Sequence, residues 1–105
     1  MASKEFNNLE EIQKYYDEES NTYIFKENDE YIDTVVFNFD LNVKANIDAL
    51  DIDAHNINAK DITYYAVCYA YENITCNSIK GILKNAKHFV LDGKIKVLEN
   101  GESYL

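Results

Sequence analysis

The sequence predicts a mainly β protein, a short β-solenoid of pentad repeats with an N-terminal helix and hairpin as its cap. Three observations carry this. In NIDALDIDAHNINAKDIT, residues 46–63, Ile47, Ile52, Ile57 and Ile62 fall every fifth residue, a period of neither helix nor plain strand. Each of the first three is followed two places on by Ala49, Ala54 or Ala59. The parity of the apolar positions also flips along the chain. It is odd from Val35 to Ala49, even at Ile52 and Ala54, odd at Ile57 and Ala59, and even at Ile62 and Tyr64. Side chains alternate along a strand, so one fixed interior requires a bend wherever parity changes.

The elements follow in chain order. Asn7 or Asn8 caps a short helix over about 8–17, where Phe6, Leu9, Ile12 and Tyr15 or Tyr16 recur at helical spacing and Glu10 and Glu11 favour the first turn. Strands at 22–26 and 31–39 flank the turn Glu27-Asn28-Asp29-Glu30 and complete a cap over 1–40. In the solenoid, 41–98, each Ile and the residue two later point inward. The residue between them points outward, and the other two make a corner that suits Asn or Asp. Four pentads per turn give a coil of about 20 residues, each face too short to hide its apolar side alone.

The pattern returns in NITCNSIKGI, with Ile74 and Ile79 five apart. Between the two runs, YYAVCYAYE reads as one longer strand or broader face. FVLDGKIKV, 89–97, reads as a hairpin through Asp92-Gly93, and 99–105 as a loosely packed tail. The 105 residues suffice for one compact domain.

Composition narrows the function. The chain has 19 acidic residues, 10 Lys, no Arg and a net charge of −9. Residues 1–61 hold 15 of the acids and 5 of the Lys, so all the excess negative charge lies there. Such a field repels nucleic acid and attracts basic protein surfaces. Residues 1–11 show no apolar signal core or lipidation motif, and the longest apolar run, 64–71, is too short to cross a bilayer. A soluble protein of the bacterial cytoplasm is expected, with Cys68 and Cys76 reduced and serving as small core residues. Heavy use of Asn, Ile, Lys and Tyr suggests AT-rich coding DNA.

Two sets of residues are candidates for a partner-binding surface. Asp48, Asp51, Asp53 and Asp61, with Asp33 and Asp40 upstream, form an external acidic ladder that imitates a phosphate track, or else serve only the corners. Tyr65, Tyr69 and Tyr71 share a parity opposite to Ala66, Cys68 and Ala70, so the rings lie outward together or, in the reverse orientation, in the core. His55 and His88 have no nucleophile or carboxylate at a catalytic spacing, and lone solvent-facing rings are expected. DALDIDAHN lacks the Gly and terminal Glu of a calcium loop. No enzyme activity, cofactor or metal is expected.

At ANIDALDIDAHNINAKDI the chain resembles pentapeptide-repeat proteins, which centre Leu or Phe after Asp or Asn. Their small residue lies two before the central apolar one, whereas here Ala lies two after. That resemblance implies a right-handed quadrilateral β-helix and, as several members do, mimicry of DNA toward gyrase. Over nearly its whole length the chain is similar to small acidic proteins of low-GC Gram-positive bacteria and their phages. The likeness rests on NLEEIQKYYDEESNTYIFK, the DI-x-A-x pentads and DITYYAVCYAYENITCNSIKG. It implies an inhibitor of a host defence nuclease, of the anti-CRISPR type, that binds a basic nucleic-acid channel. The alternatives are a self-assembling scaffold and a gyrase inhibitor, and a homodimer is expected from the open strand edges.

Overall fold

In the computed structural model, which describes residues 2–99 and 102–104, the pentads wind into a β-solenoid of about four turns, mainly parallel strands with one short helix. Three flat faces repeat in the order A, B, C. Face A stacks Ser3–Phe6, residues 34–37, residues 51–54, Val67–Ala70 and Lys87–Val90. Face B stacks residues 40–42, residues 56–58, Ile74–Cys76 and Ile95–Glu99. Face C stacks Thr22–Ile24, Asn46–Asp48, Asp61–Tyr64 and Ser78–Gly81, with Tyr16–Asp17 antiparallel at its start.

The coil has three sides, not four. Asp40 stacks with His55, Asp51 with Val67 and Asp61 with Ser78, at separations of 15, 16 and 17 residues. Three pentads therefore close a turn. The inward residues explain the narrow section. In the second coil they are Ile52, Ala54, Ile57, Ala59, Ile62 and Tyr64, all buried. Three isoleucines, two alanines and the Tyr64 ring fill a triangle, whereas a square of the same residues would leave its centre empty.

Inward columns are matched along the stack. Ile57 lies between Leu41 and Ile74, and Ile62 between Ile47 and Ile79. The Tyr64 ring needs a gap above it, which Gly81 supplies. A Cβ on Gly81 would stand 2.9 Å from the Tyr64 ring and 2.4 Å from the Ala86 Cβ. Cys68 and Cys76 are buried free thiols, as expected. Burial pushes their pKa values up to about 12 and about 11, which keeps both protonated and unreactive.

The cap differs from expectation in detail. Its helix is a single 3-10 segment, Leu9–Tyr15. Asn8 caps it, accepting from the Glu11 amide at 3.1 Å, while the Glu11 carboxylate accepts from the Asn7 amide at 2.7 Å. Ile12 and Tyr15 are its buried face. Tyr15, Phe6, Phe25 and Phe37 pack ring against ring and close the first coil. The turn at Asn28-Asp29 forms with both residues left-handed, φ 53° and 65°, joining only Lys26–Glu27 to Glu30–Tyr31. The flanking strands do not pair with each other. Thr22–Ile24 joins face C and Thr34–Asn42 runs over faces A and B. Glu27 pins the hairpin to the cap through Lys4 at 2.7 Å and the Tyr15 hydroxyl, and these bonds hold its carboxyl at about 2.

Two later expectations are corrected. Residues 64–71 break at a Tyr65-Ala66 corner instead of forming one strand. Asp92-Gly93 is also a corner, not a hairpin turn. Lys87–Val90 pairs with Val67–Ala70, and Ile95–Glu99 pairs with Ile74–Cys76, each parallel to the coil below. Parallel stacking wins because it buries the inward apolar residues, which a two-stranded hairpin would leave open. An antiparallel partner for Ile95–Glu99 comes instead from Glu102–Tyr104, within the segment expected to be a loose tail. The rest of that tail, residues 100, 101 and 105, lies outside the described residues.

Ile57 is the sharpest probe of this core. Ile57→Asp buries an unpaired charge among apolar columns and should abolish cooperative unfolding in urea. Ile57→Ala should lower stability by about 2–5 kcal/mol while keeping the β-type circular dichroism. A cooperative, near-parental melt for the Asp variant would contradict a packed solenoid interior.

Candidate functional site

Outward columns are free of packing demands, so chemistry resides there. The A/B corner gathers the densest set. One coil contributes Asp40, the next His55 and the next Glu72, because positions one coil apart stack. His55 Nδ1 lies 2.8 Å from Asp40 Oδ1 and 3.7 Å from Glu72 Oε1. The imidazole also stacks on Tyr71, at 5.6 Å and 9° between planes. The Glu72 amide donates to the His55 carbonyl at 2.8 Å, which fixes the two coils relative to each other. His55 is therefore not the lone ring expected. The period that would have revealed the set, 40 to 55 to 72, is visible only once the coil is known to hold three pentads.

His88 also departs from expectation. It continues the inward column of Val35, Ile52 and Cys68 and is half-buried. Its Nδ1 shares a hydrogen bond of 2.8 Å with the Tyr64 hydroxyl.

Beside the A/B corner, face A carries an outward column of Glu5, Val36, Asp53, Tyr69 and Phe89. The Tyr69 and Phe89 rings lie 5.1 Å apart. Tyr71 is exposed next to them, and Leu91, at 67% exposure, is the most open large apolar residue among the described residues. Tyr69, Tyr71, Val36, Asn38, Asp53 and His55 line a shallow depression of about 440 Å³. The small residues Cys68 and Ala70 face inward, so the outward alternative holds for the tyrosines. Tyr65 is separated from the other two. It sits at the C/A corner, where its backbone bonds Leu50 and Leu83. Phe89 and Leu91 were not singled out from the sequence, because the reading of 89–97 as a hairpin concealed their stacking over Tyr69 and Tyr71.

The six candidate acids do not share a face. Asp48 lies mid-face on C and accepts from the Tyr31 hydroxyl at 2.7 Å. Asp51 and Asp33 occupy the C/A corner, where Asp51 Oδ1 accepts from the Val67 amide at 3.1 Å and the Asp51 amide donates to the Asp33 carbonyl. Asp61, at the B/C corner, accepts from the Ser78 hydroxyl at 2.7 Å. Asp40 faces His55. Asp53 alone of the six stands on the aromatic face A column. Corner and ladder bonds thus occupy Asp48, Asp51 and Asp61. Much of the negative charge lies instead on the cap, with nine acids in residues 1–30.

The pKa values of the two imidazoles are shifted in opposite directions. The Asp40 hydrogen bond favours the charged form of His55, with Glu72 adding to it, so its pKa lies above the ordinary value. Its stabilising effect is complete below the unfolded value of about 6.5 and is lost as pH rises through the folded pKa. Burial disfavours charge on His88 and lowers its pKa. That contribution is complete above about 6.5 and is lost as pH falls through the folded pKa. Nitrogen–proton NMR of the rings should give midpoints on opposite sides of that value. Asp40→Asn should bring only the His55 midpoint down. Coincident midpoints would contradict both environments.

Comparisons with protein-family models, with curated proteins and with solved structures find no match to this chain.

Proposed function

We propose that this chain is a non-catalytic inhibitor that works by binding a basic protein surface through face A. The reading rests on one observation above the rest. Tyr69, Phe89, Tyr71 and Leu91 form an outward apolar strip on a rigid sheet, with Asp53 and Glu72 at its margin. Aromatic rings on a preorganised surface are the usual anchors of a protein interface. The occupant is a Lys- and Arg-lined protein channel, chosen by charge. The chain carries −9 with no Arg, which favours approach to basic surfaces and opposes nucleic acid itself.

Channels of that kind hold the guide–target duplex of RNA-guided nucleases. With the likeness to phage proteins, this makes a CRISPR effector of a low-GC bacterial host the leading target, with gyrase as the weaker candidate. The acids act mainly by steering, since they are spread over three faces and the cap instead of forming one imitation of a phosphate track.

Self-assembly through the open end of the stack is the competing reading, and a homodimer would be its simplest form. The edge strands there carry Lys80 on face C and Lys87 on face A, and on face B Glu102–Tyr104 covers Ile95–Glu99. Edge lysines oppose strand-to-strand pairing.

The test is inhibition of purified RNA-guided nucleases by the parent and by two variants. Tyr69→Ala/Tyr71→Ala/Phe89→Ala should keep the parental melt and lose at least about 2 kcal/mol of binding, mostly through faster dissociation. Asp53→Asn should slow association and flatten its salt dependence. Full inhibition by the triple variant would reject face A as the contact. A nuclease panel left fully active by the parent, with light scattering above the 12.2 kDa monomer, would favour the scaffold.

A further inference from the structure

We propose that Asp40, His55 and Glu72 form a binding site for one divalent transition-metal ion, with zinc as its test ion. One ligand atom from each residue lies within 4.8 Å of the others. Ligands held at zinc bond lengths around a tetrahedral ion stand about 3.4 Å apart. The His55 Nδ1 separations of 2.8 Å to Asp40 and 3.7 Å to Glu72 bracket that figure, so small rotations of the carboxylates suffice. The proposal is independent of the proposed function.

Three features distinguish this set from a chance gathering of surface acids. An imidazole nitrogen is aimed between the two carboxylates. Stacking on Tyr71 holds the ring orientation, so little order must be gained on binding. The backbone bond from Glu72 to His55 fixes adjacent coils, and a Cβ on Gly93 would stand 2.0 Å from the Glu72 carbonyl oxygen, so glycine lets the next coil approach closely.

The donor chemistry selects the ion. One nitrogen and two carboxylate oxygens, with room for water on the solvent side, suit zinc and its first-row neighbours. Calcium and magnesium favour all-oxygen sets. The ion would take the position of the proton that bridges Nδ1 and the carboxylate; the neutral ring shifts that proton to Nε2, whereas the imidazolium must lose one, so binding weakens in acid. Other soft ligands do not compete. Cys68 and Cys76 are buried, and His88 is turned inward onto Tyr64. His55 is thus the exposed imidazole among the described residues. An ion held there would tie three successive coils at one corner.

Calorimetric titration of the full chain with zinc at pH 7.5, with ring NMR in parallel, tests this. One ion per chain should bind, the His55 ring resonances should move, and those of His88 should stay. The melting temperature should rise. At pH 5.5 binding should fall at least ~10-fold, as it should in His55→Ala and in Glu72→Gln. The His55 and Glu72 side chains are 49% and 43% exposed, and a cooperative melt without zinc verifies that each variant folds. No heat up to millimolar zinc, an unmoved His55 resonance, or parental affinity in folded His55→Ala would each overturn the site.

Discussion

Backbone pairing between successive coils is the constraint on which the rest depends. Parallel strands stack about 4.8 Å apart, so every side chain lies over the residue one coil away. Inside, this demands alternation in size where a column is crowded, as with Ala49, Tyr64 and Gly81. Outside, it demands that like charges not be stacked. Two carboxylates at that spacing repel by roughly 1 kcal/mol even at the dielectric of water, and more beside a low-dielectric core. The outward columns obey. Asp48 is followed by Thr63 and Lys80, and Glu5 is separated from Asp53 by Val36. At the A/B corner, Asp40 and Glu72 are separated by His55. A continuous acidic ladder is therefore what this architecture resists, and the acids are dispersed around the prism and over its cap.

The two ends of the stack solve the same edge problem differently. At the start, the rings of Phe6, Tyr15, Phe25 and Phe37 plug the interior, and the 3-10 segment lies over them. At the far end, strands bearing Lys80 and Lys87 close faces C and A, and Glu102–Tyr104 covers Ile95–Glu99 on face B. Edge lysines discourage a second sheet from joining because pairing would strip water from their charges. The lengthened last coil, in which Lys94 bonds Asn73 from 21 residues on, makes room for residues 82–86, which pack Ala86 over Tyr64 beside Gly81.

Legibility in the sequence followed the arithmetic of corners. A two-residue corner flips parity, and the flips at Leu50-Asp51, His55-Asn56 and Lys60-Asp61 announced three bends. A one-residue corner preserves parity. Val43, Ala45 and Ile47 all point inward across a bend at Lys44, so residues 35–49 looked like one overlong strand. Parity is also unchanged at the Tyr65-Ala66 corner, because three residues separate the inward Tyr64 and Cys68. Inward residues could thus be named from sequence alone, whereas the number of sides could not, because parity says that the chain bends and not by how much. The His55 cluster was missed for that reason. Asp40, His55 and Glu72 are unrelated on a four-sided coil and meet only on a three-sided one.

This division also separates scaffold from function. Inward columns answer to packing, either keeping one size, as with Leu41, Ile57 and Ile74, or alternating it, as with Ala49, Tyr64 and Gly81. Their identity is dictated by a cross-section that admits little else. The outward column of face A changes completely, from Glu5 and Val36 through Asp53 to Tyr69 and Phe89. Nothing in the packing requires rings there, since Val36 and Asp53 occupy equivalent sites in the same sheet. Outward rings at consecutive equivalent positions, Tyr69 and Phe89, forgo the solubility that the rest of the surface secures with charge. A sheet held rigid by three-sided stacking offers those rings in fixed positions, which lowers the entropy lost when a partner covers them. The physical argument for a docking surface thus lies in this contrast between neighbouring coils, and the solenoid alone would not supply it.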